Sequence, residues 1–286
     1  MGPGGYDPPV TLRAPLASAR RTWSFATRLA AKRVQFALVH ARNGVPVVTY
    51  ATWRTASTSV HHAIRASSRA ASVKAHSLHR ANICDQRAKA PAFAAVARPR
   101  AHVGDLAVSR FILARNRRAD WVVLVRDPLA MAMSCAAIEV HRPPCAGDPA
   151  HGVDDAIARA PIGGLDWWLE QDMRPALGWS VLDEPFDRER GWMETECPQG
   201  RMLVIRADVA DAAKGEALSR FLGTRVHVTP KNDARSGGRG VALAAITARL
   251  AAHPEVIAAS LVQRSSRHFW HRDQLVALRA RWLAPA

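Results

Sequence analysis

Cysteine is scarce in this 286-residue chain: Cys84, Cys135, Cys145 and Cys197 are too few and too scattered to make a disulfide scaffold. No two of them form C-x-x-C, so zinc and thioredoxin-like chemistry have no support, and reduced thiols in a cytoplasmic protein are expected. No apolar run approaches the ~18 residues of a membrane helix, and the first residues lack the apolar core of a secretory signal. Acidic residues are in deficit, with 24 Asp and Glu against 40 Lys and Arg, a formal net charge of +16. No internal repeat is present.

What remains is the composition of a folded globular protein. Apolar residues make up 48% and charged residues 22%, enough for a sizeable core in one large domain. The positive charge favours an anionic partner: nucleic acid, acidic membrane or a phosphorylated small molecule. That charge is unevenly spread. Residues 139–200 hold 13 acids against 5 basic residues, a balance of −8, and the rest of the chain carries +24. Residues 1–40, with six Arg or Lys and only Asp7 as an acid, read as a frayed basic lead-in, and residues 41–286 as a single domain.

Three apolar runs each precede a helical pattern. Val45–Tyr50 leads into a helix over Thr58–Arg69, Trp121–Val125 into Leu129–Val140, and Met202–Arg206 into Asp211–Leu222 with Gly223 as its stop. Val73–His76 offers a further short strand. The alternation predicts an α/β fold: a parallel sheet flanked by helices. Residues 141–200 interrupt it with seven prolines and with Trp167, Trp168, Trp179 and Trp192, and read as an irregular insertion on the acceptor side of any site. Helical spacing resumes after Gly240 and ends in an amphipathic stretch, His271–Trp282.

Ligands of such sheets collect at the carboxyl ends of strands, where helix N-termini point their N–H groups outward. Thr49–Val60 (TYATWRTASTSV) puts Arg54, Thr55, Ala56, Ser57, Thr58 and Ser59 in that place. By itself the segment also fits a helix cap beside a solvated Arg. It has neither the glycines nor the lysine of a Walker loop, which counts against an ATPase or kinase. In the second run, Arg126 ends the strand, Asp127-Pro128 opens a helix, and Ser134 lies about two turns in.

The two motifs together resemble those of sulfotransferases that use 3′-phosphoadenosine 5′-phosphosulfate (PAPS). TWRTASTS is similar to the TWRSGSSF phosphosulfate loop of carbohydrate sulfotransferases, with Ala56 standing where the family carries Gly; RDPxxxxxS is similar to the family's 3′-phosphate motif. The resemblance implies a P-loop-like sheet and sulfuryl transfer to an acceptor hydroxyl, carbohydrate favoured and a small alcohol or lipid second. It gives Arg54 and the Thr55–Ser59 loop to the phosphosulfate, Arg126 and Ser134 to the 3′-phosphate, and Arg235, Ser236 and Gly237 to a late basic loop over the donor. MLVIRADV followed by ALSRFLG, and the ending HFWHRDQLVALRARW, resemble later parts of bacterial members, including those associated with capsular polysaccharide.

VKAHSL resembles the KTHLP segment that carries the family's catalytic His, which points to His76 as general base. His79, His61 and His62 are alternatives, and imidazole suits the task because its ordinary pKa lies near neutrality. No metal is demanded, since fixed cations can neutralise developing charge. The rivals are a non-catalytic nucleic-acid binder, which would explain +16 but lacks aromatics among the basic stretches, and a P-loop phosphotransferase.

Overall fold

The computed structural model describes residues 13–67, 71–84, 102–141, 152–229 and 238–283. At its centre is a five-stranded sheet in the order β2-β1-β3-β5-β4. Its strands are β1 (Val47–Ala51), β2 (Ser72–Ala75), β3 (Asp120–Val125), β4 (Trp192–Cys197) and β5 (Gly200–Arg206). The first three and β5 run parallel, and β4 is antiparallel to β5. All five residues of β1 and the last five of β3 are buried, as a sheet covered on both faces requires.

Alternation along the strands divides the core. Trp121, Val123 and Val125 face one layer, with Tyr50, Val108, Trp168, Phe269 and Trp270. Val122 and Leu124 face the other, with Val60 and Ile64 of α2 (Ser57–Ser67) and Leu218 and Phe221 of α9 (Asp211–Leu222). The chain leaves β1 through α2 toward β2 on one side. It leaves β3 through α5 (Pro128–His141) toward β5 on the other. The crevice between the carboxyl ends of β1 and β3 is therefore the point where the winding reverses, and both motifs end there.

Two sequence expectations need correction. The lead-in is not frayed from Arg13 on: α1 (Arg13–Ala41) is a 29-residue helix whose Phe36 is fully buried in the main core. It packs on α4 (His102–Phe111), near α3 (Arg80–Cys84). Nor is the described part of 141–200 an irregular insertion. It contains α6 (Val153–Ala158), α7 (Gly164–Trp168), a π-helical turn (Leu169–Met173), α8 (Arg174–Leu177) and strand β4. The β4–β5 turn brings Gly200, at φ 128°, so near Ala119 that a Cβ would lie 2.2 Å from the Ala119 carbonyl oxygen.

The remaining helices are α10 (Gly238–Leu250), α11 (Pro254–Val262), α12 (Arg264–Phe269) and α13 (Arg272–Leu283). Among the described residues, no single helix is long and apolar enough to cross a membrane.

Candidate active site

The turn after β1 is held by its own hydrogen bonds. Thr55 is fully buried, and its hydroxyl donates to the Thr52 carbonyl at 2.9 Å, so it serves the loop rather than facing a ligand. Ser57 begins α2, whose first N–H groups have no partner within the helix, the usual anion-binding arrangement. Arg54 and Ala56 both adopt left-handed backbone, φ 66° and 58°. Ala56 thus keeps the conformation that glycine would favour, despite its Cβ. Left-handed backbone costs an L-residue about 1–2 kcal/mol, and the unfolded-chain entropy of glycine offsets about 0.4–1 kcal/mol of that. Ala56→Gly is therefore expected to raise stability by up to about 1.5 kcal/mol, read as a higher melting temperature. A clear loss of stability would show instead that the Ala56 methyl makes a needed contact.

The second motif folds directly onto the first. Arg126 donates from Nη1 to the Arg54 carbonyl at 2.7 Å, and Arg54 donates from Nε to Ser134 Oγ at 2.8 Å. Ser134, 2% exposed on α5, thus meets Arg54 and not Arg126, a pairing that sequence spacing did not suggest. Asp127 favours the charge on Arg126 from nearby but makes its bonds elsewhere. One of its carboxylate oxygens caps α5 through Ala130 N–H at 3.0 Å, and the other lies 2.7 Å from Arg279 Nη1 of α13. Both members of this ion pair are almost fully buried, so it ties the turn after β3 to the C-terminal helix. The sequence reading had no role for Arg279, because nothing local marks a partner 152 residues away.

A third cation enters from β2. Lys74 donates to Thr58 Oγ1 at 2.9 Å. Burial, reinforced by Arg54, lowers its pKa to about 8; Asp105 opposes the shift. Arg126 is also pushed down, by burial first and by Arg54 next. Arg54 thus repels both Lys74 and Arg126 in a half-buried crevice. An anion placed among them would relieve that repulsion.

His76 follows β2 and is fixed at three points. Its N–H donates to Asp105 Oδ1 at 2.7 Å, and its carbonyl accepts from Trp168 Nε1 at 2.8 Å. Its Nδ1 lies 2.6 Å from the carbonyl oxygen of Ala51, the last residue of β1. A carbonyl can only accept, so Nδ1 carries the proton and the lone pair of the neutral ring is on Nε2. That is the tautomer a general base needs. Asp105 reaches His76 because Gly104 lets α4 lie against β2; a Cβ there would sit 2.0 Å from the Lys74 carbonyl oxygen. Burial raises the Asp105 pKa to about 7 against the lowering effect of two backbone N–H groups.

The segment after His76 is anchored by Asp172, which no motif flagged. This fully buried carboxylate accepts from Tyr50 Oη at 2.5 Å, Leu78 N at 2.7 Å and Asn82 Nδ2 at 3.0 Å, and from the Ser77 hydroxyl. Four donors stand in for the water it has lost. Burial and the adjacent carboxylate push the Tyr50 hydroxyl well above its ordinary pKa, so it stays a donor.

The other candidates separate. His79 is not solvent-facing as its place beside Arg80 suggested: it is half-buried and lines a cavity of about 520 Å³ with Asn82, Trp167, Glu170, Gln171, Arg174 and Pro175. His61 lies against Thr49 Oγ1 at 3.3 Å, with its pKa lowered to about 4 by burial and then by Lys74, so it stays neutral. Of the four tryptophans, Trp168 and Trp192 are core residues and Trp179 packs at the core edge with its indole N–H on Glu184; only Trp167 reaches the cavity. Arg235, Ser236 and Gly237 lie outside the described residues. No family model, curated protein or solved structure matches the chain.

Proposed function

We propose that this chain is a PAPS-dependent sulfotransferase of P-loop type that moves a sulfuryl group onto an acceptor hydroxyl. The observation that carries the reading is the convergence of Arg54, Lys74 and Arg126, from three different strand ends, on one helix N-terminus beside His76. These residues fit an anionic donor. Cations and hydroxyls replace the water around its phosphates, and the α2 N-terminus adds backbone donors. When bound, the donor supplies an activated sulfuryl group on its 5′-phosphate.

In this reading His76 Nε2 takes the proton of the acceptor hydroxyl as the acceptor oxygen bonds to sulfur. The bond from sulfur to the bridging oxygen breaks, and its electron pair leaves on the phosphate. Arg54, with Lys74, stabilises that developing charge, and the product nucleotide is adenosine 3′,5′-bisphosphate. Arg126 holds the Arg54 carbonyl and so sets the loop as well as adding charge.

The test is thermal stabilisation by adenosine 3′,5′-bisphosphate, compared with adenosine 5′-monophosphate and ATP. The bisphosphate is expected to stabilise most. The shift should shrink as pH rises through about 8, where Lys74 loses its charge in the unliganded protein. A larger shift with ATP would move the reading to a phosphotransferase, and none with any nucleotide would end it.

A further inference from the structure

We infer that Arg279 is a positioning residue of the nucleotide site: by pairing with Asp127 it keeps that carboxylate off Arg126, so that the Arg126 guanidinium can meet a 3′-phosphate. This role rests on the sulfotransferase reading and falls to a residue that the family resemblance leaves without one. Asp127 follows Arg126 directly, and the carboxylate is close enough to favour the charge on Arg126. An acid in that place is a hazard for an anion site. It can pair with the cation and cancel its charge, and its own charge repels an incoming phosphate.

Both carboxylate oxygens are occupied instead. Oδ2 accepts the Ala130 N–H at 3.0 Å and is committed to the start of α5. Oδ1 lies 2.7 Å from Arg279 Nη1 and, among the described residues, meets no other partner. The Arg279 and Asp127 side chains are 5% and 2% exposed, so solvent screens the pair little. A buried carboxylate that loses its cation is costly, and Arg126, on the adjacent residue, is the cation to which it would then turn. The helix that brings Arg279 here is held by contacts of its own. Gln274 Oε1 accepts from Arg206 Nη1 at 2.8 Å and from the His271 N–H at 3.0 Å. Arg206 ends β5 and stands in register with Val125 of β3. Leu275 and Leu278 enter the main core with Trp121 and Val125. Helix α13 is thus pinned at the carboxyl ends of β5 and β3 without help from Asp127, and the Arg279 guanidinium reaches the turn from a preset place.

The experiment measures calorimetric binding of adenosine 3′,5′-bisphosphate and of adenosine 5′-monophosphate to the unaltered protein and two variants. Arg279→Gln keeps most of the side-chain length and a donor for Asp127 but removes the charge. It is expected to raise the Kd of the bisphosphate about tenfold, the worth of one charge-assisted phosphate contact, and that of the monophosphate by less than about twofold. Asp127→Asn/Arg279→Gln leaves no acid to turn toward Arg126, while the Asn oxygen can still cap Ala130. It is expected to restore the unaltered ratio of the two constants. A merely structural role would weaken both nucleotides alike, and the second change would not repair it. Equal weakening of both nucleotides in Arg279→Gln, or an unchanged ratio there, would overturn the proposal. So would a ratio still lowered in the double variant, which would make Arg279 a direct phosphate contact. The double variant carries no charge at this pair, so its ratio decides the matter even where Arg279→Gln does not fold. If the unaltered protein does not prefer the bisphosphate, the sulfotransferase reading itself has failed, whatever the variants do.

Discussion

Arg54→Ala is expected to slow transfer by ~10²-fold or more at saturating donor, with the melting temperature almost unchanged. Arg54 sits at φ 66°, and alanine bears much the same left-handed penalty, so the backbone strain of the loop is not altered. The Arg54 carbonyl, which Arg126 grips, is also retained. What is lost is the guanidinium, including its Nε contact to Ser134, and with it the cation nearest the proposed leaving phosphate. Lys74 and Arg126 remain and keep much of the ground-state attraction for the donor. The loss should therefore fall on kcat more than on donor KM. Arg54→Lys is expected to recover only part of the rate, because an ammonium cannot hold Ser134 and an anion with one planar fork. Unaltered turnover in Arg54→Ala would remove this loop from the reaction.

The turns after β1 and β3 both follow buried apolar strands, and their strand-to-helix boundaries are set by local signals: a run of Val and Ile, a Pro at a first helical turn, a Gly at a helix end. Those elements appear within about two residues of their expected bounds; α9 and its left-handed Gly223 cap match residue for residue. What local pattern cannot convey is which distant groups share a contact. The motif assigns Ser134 and Arg126 to one phosphate, but its spacing says nothing of the bond that Ser134 accepts from Arg54, 80 residues away. The Asp172 hub joins Tyr50, Ser77, Leu78 and Asn82 across about a hundred residues, and nothing around Asp172 distinguishes it from a surface acid.

The tryptophans misled for a related reason. Aromatic residues in a proline-rich stretch suggest a ligand-facing surface, yet Trp168 and Trp192 are 3% and 5% exposed. Strand β4, which carries Trp192, alternates buried and solvent-facing residues too weakly to stand out. It exists because the edge of β5 needs a partner, and the close approach of Gly200 to Ala119 allows the turn between them. The long helix α1 was missed because it has no acidic first turn, and its composition is as compatible with a disordered basic segment as with a helix.

His76→Ala is expected to lower kcat by ~10²–10⁴-fold while leaving adenosine 3′,5′-bisphosphate binding intact, the range typical of losing a general base. Three anchors single out His76: Asp105 and Trp168 hold its backbone, and the Ala51 carbonyl fixes its Nδ1 proton. Since Ala51 ends the strand that leads into the Arg54 loop, this last bond joins His76 to the cationic crevice. Truncation removes the ring but keeps both backbone anchors, so the fold of the segment should persist. Added imidazole should restore part of the rate, which a merely structural histidine would not permit. His79→Ala, by contrast, should lower kcat by less than tenfold, because His79 lines the cavity with Trp167 and not the Ala51 strand end. The reverse order, with His79→Ala the more damaging to kcat and rescued by imidazole, would transfer the role to His79. Loss of neither would return attention to His62, since His61 is half-buried against Thr49 with its pKa lowered to about 4, too weak a base at neutral pH.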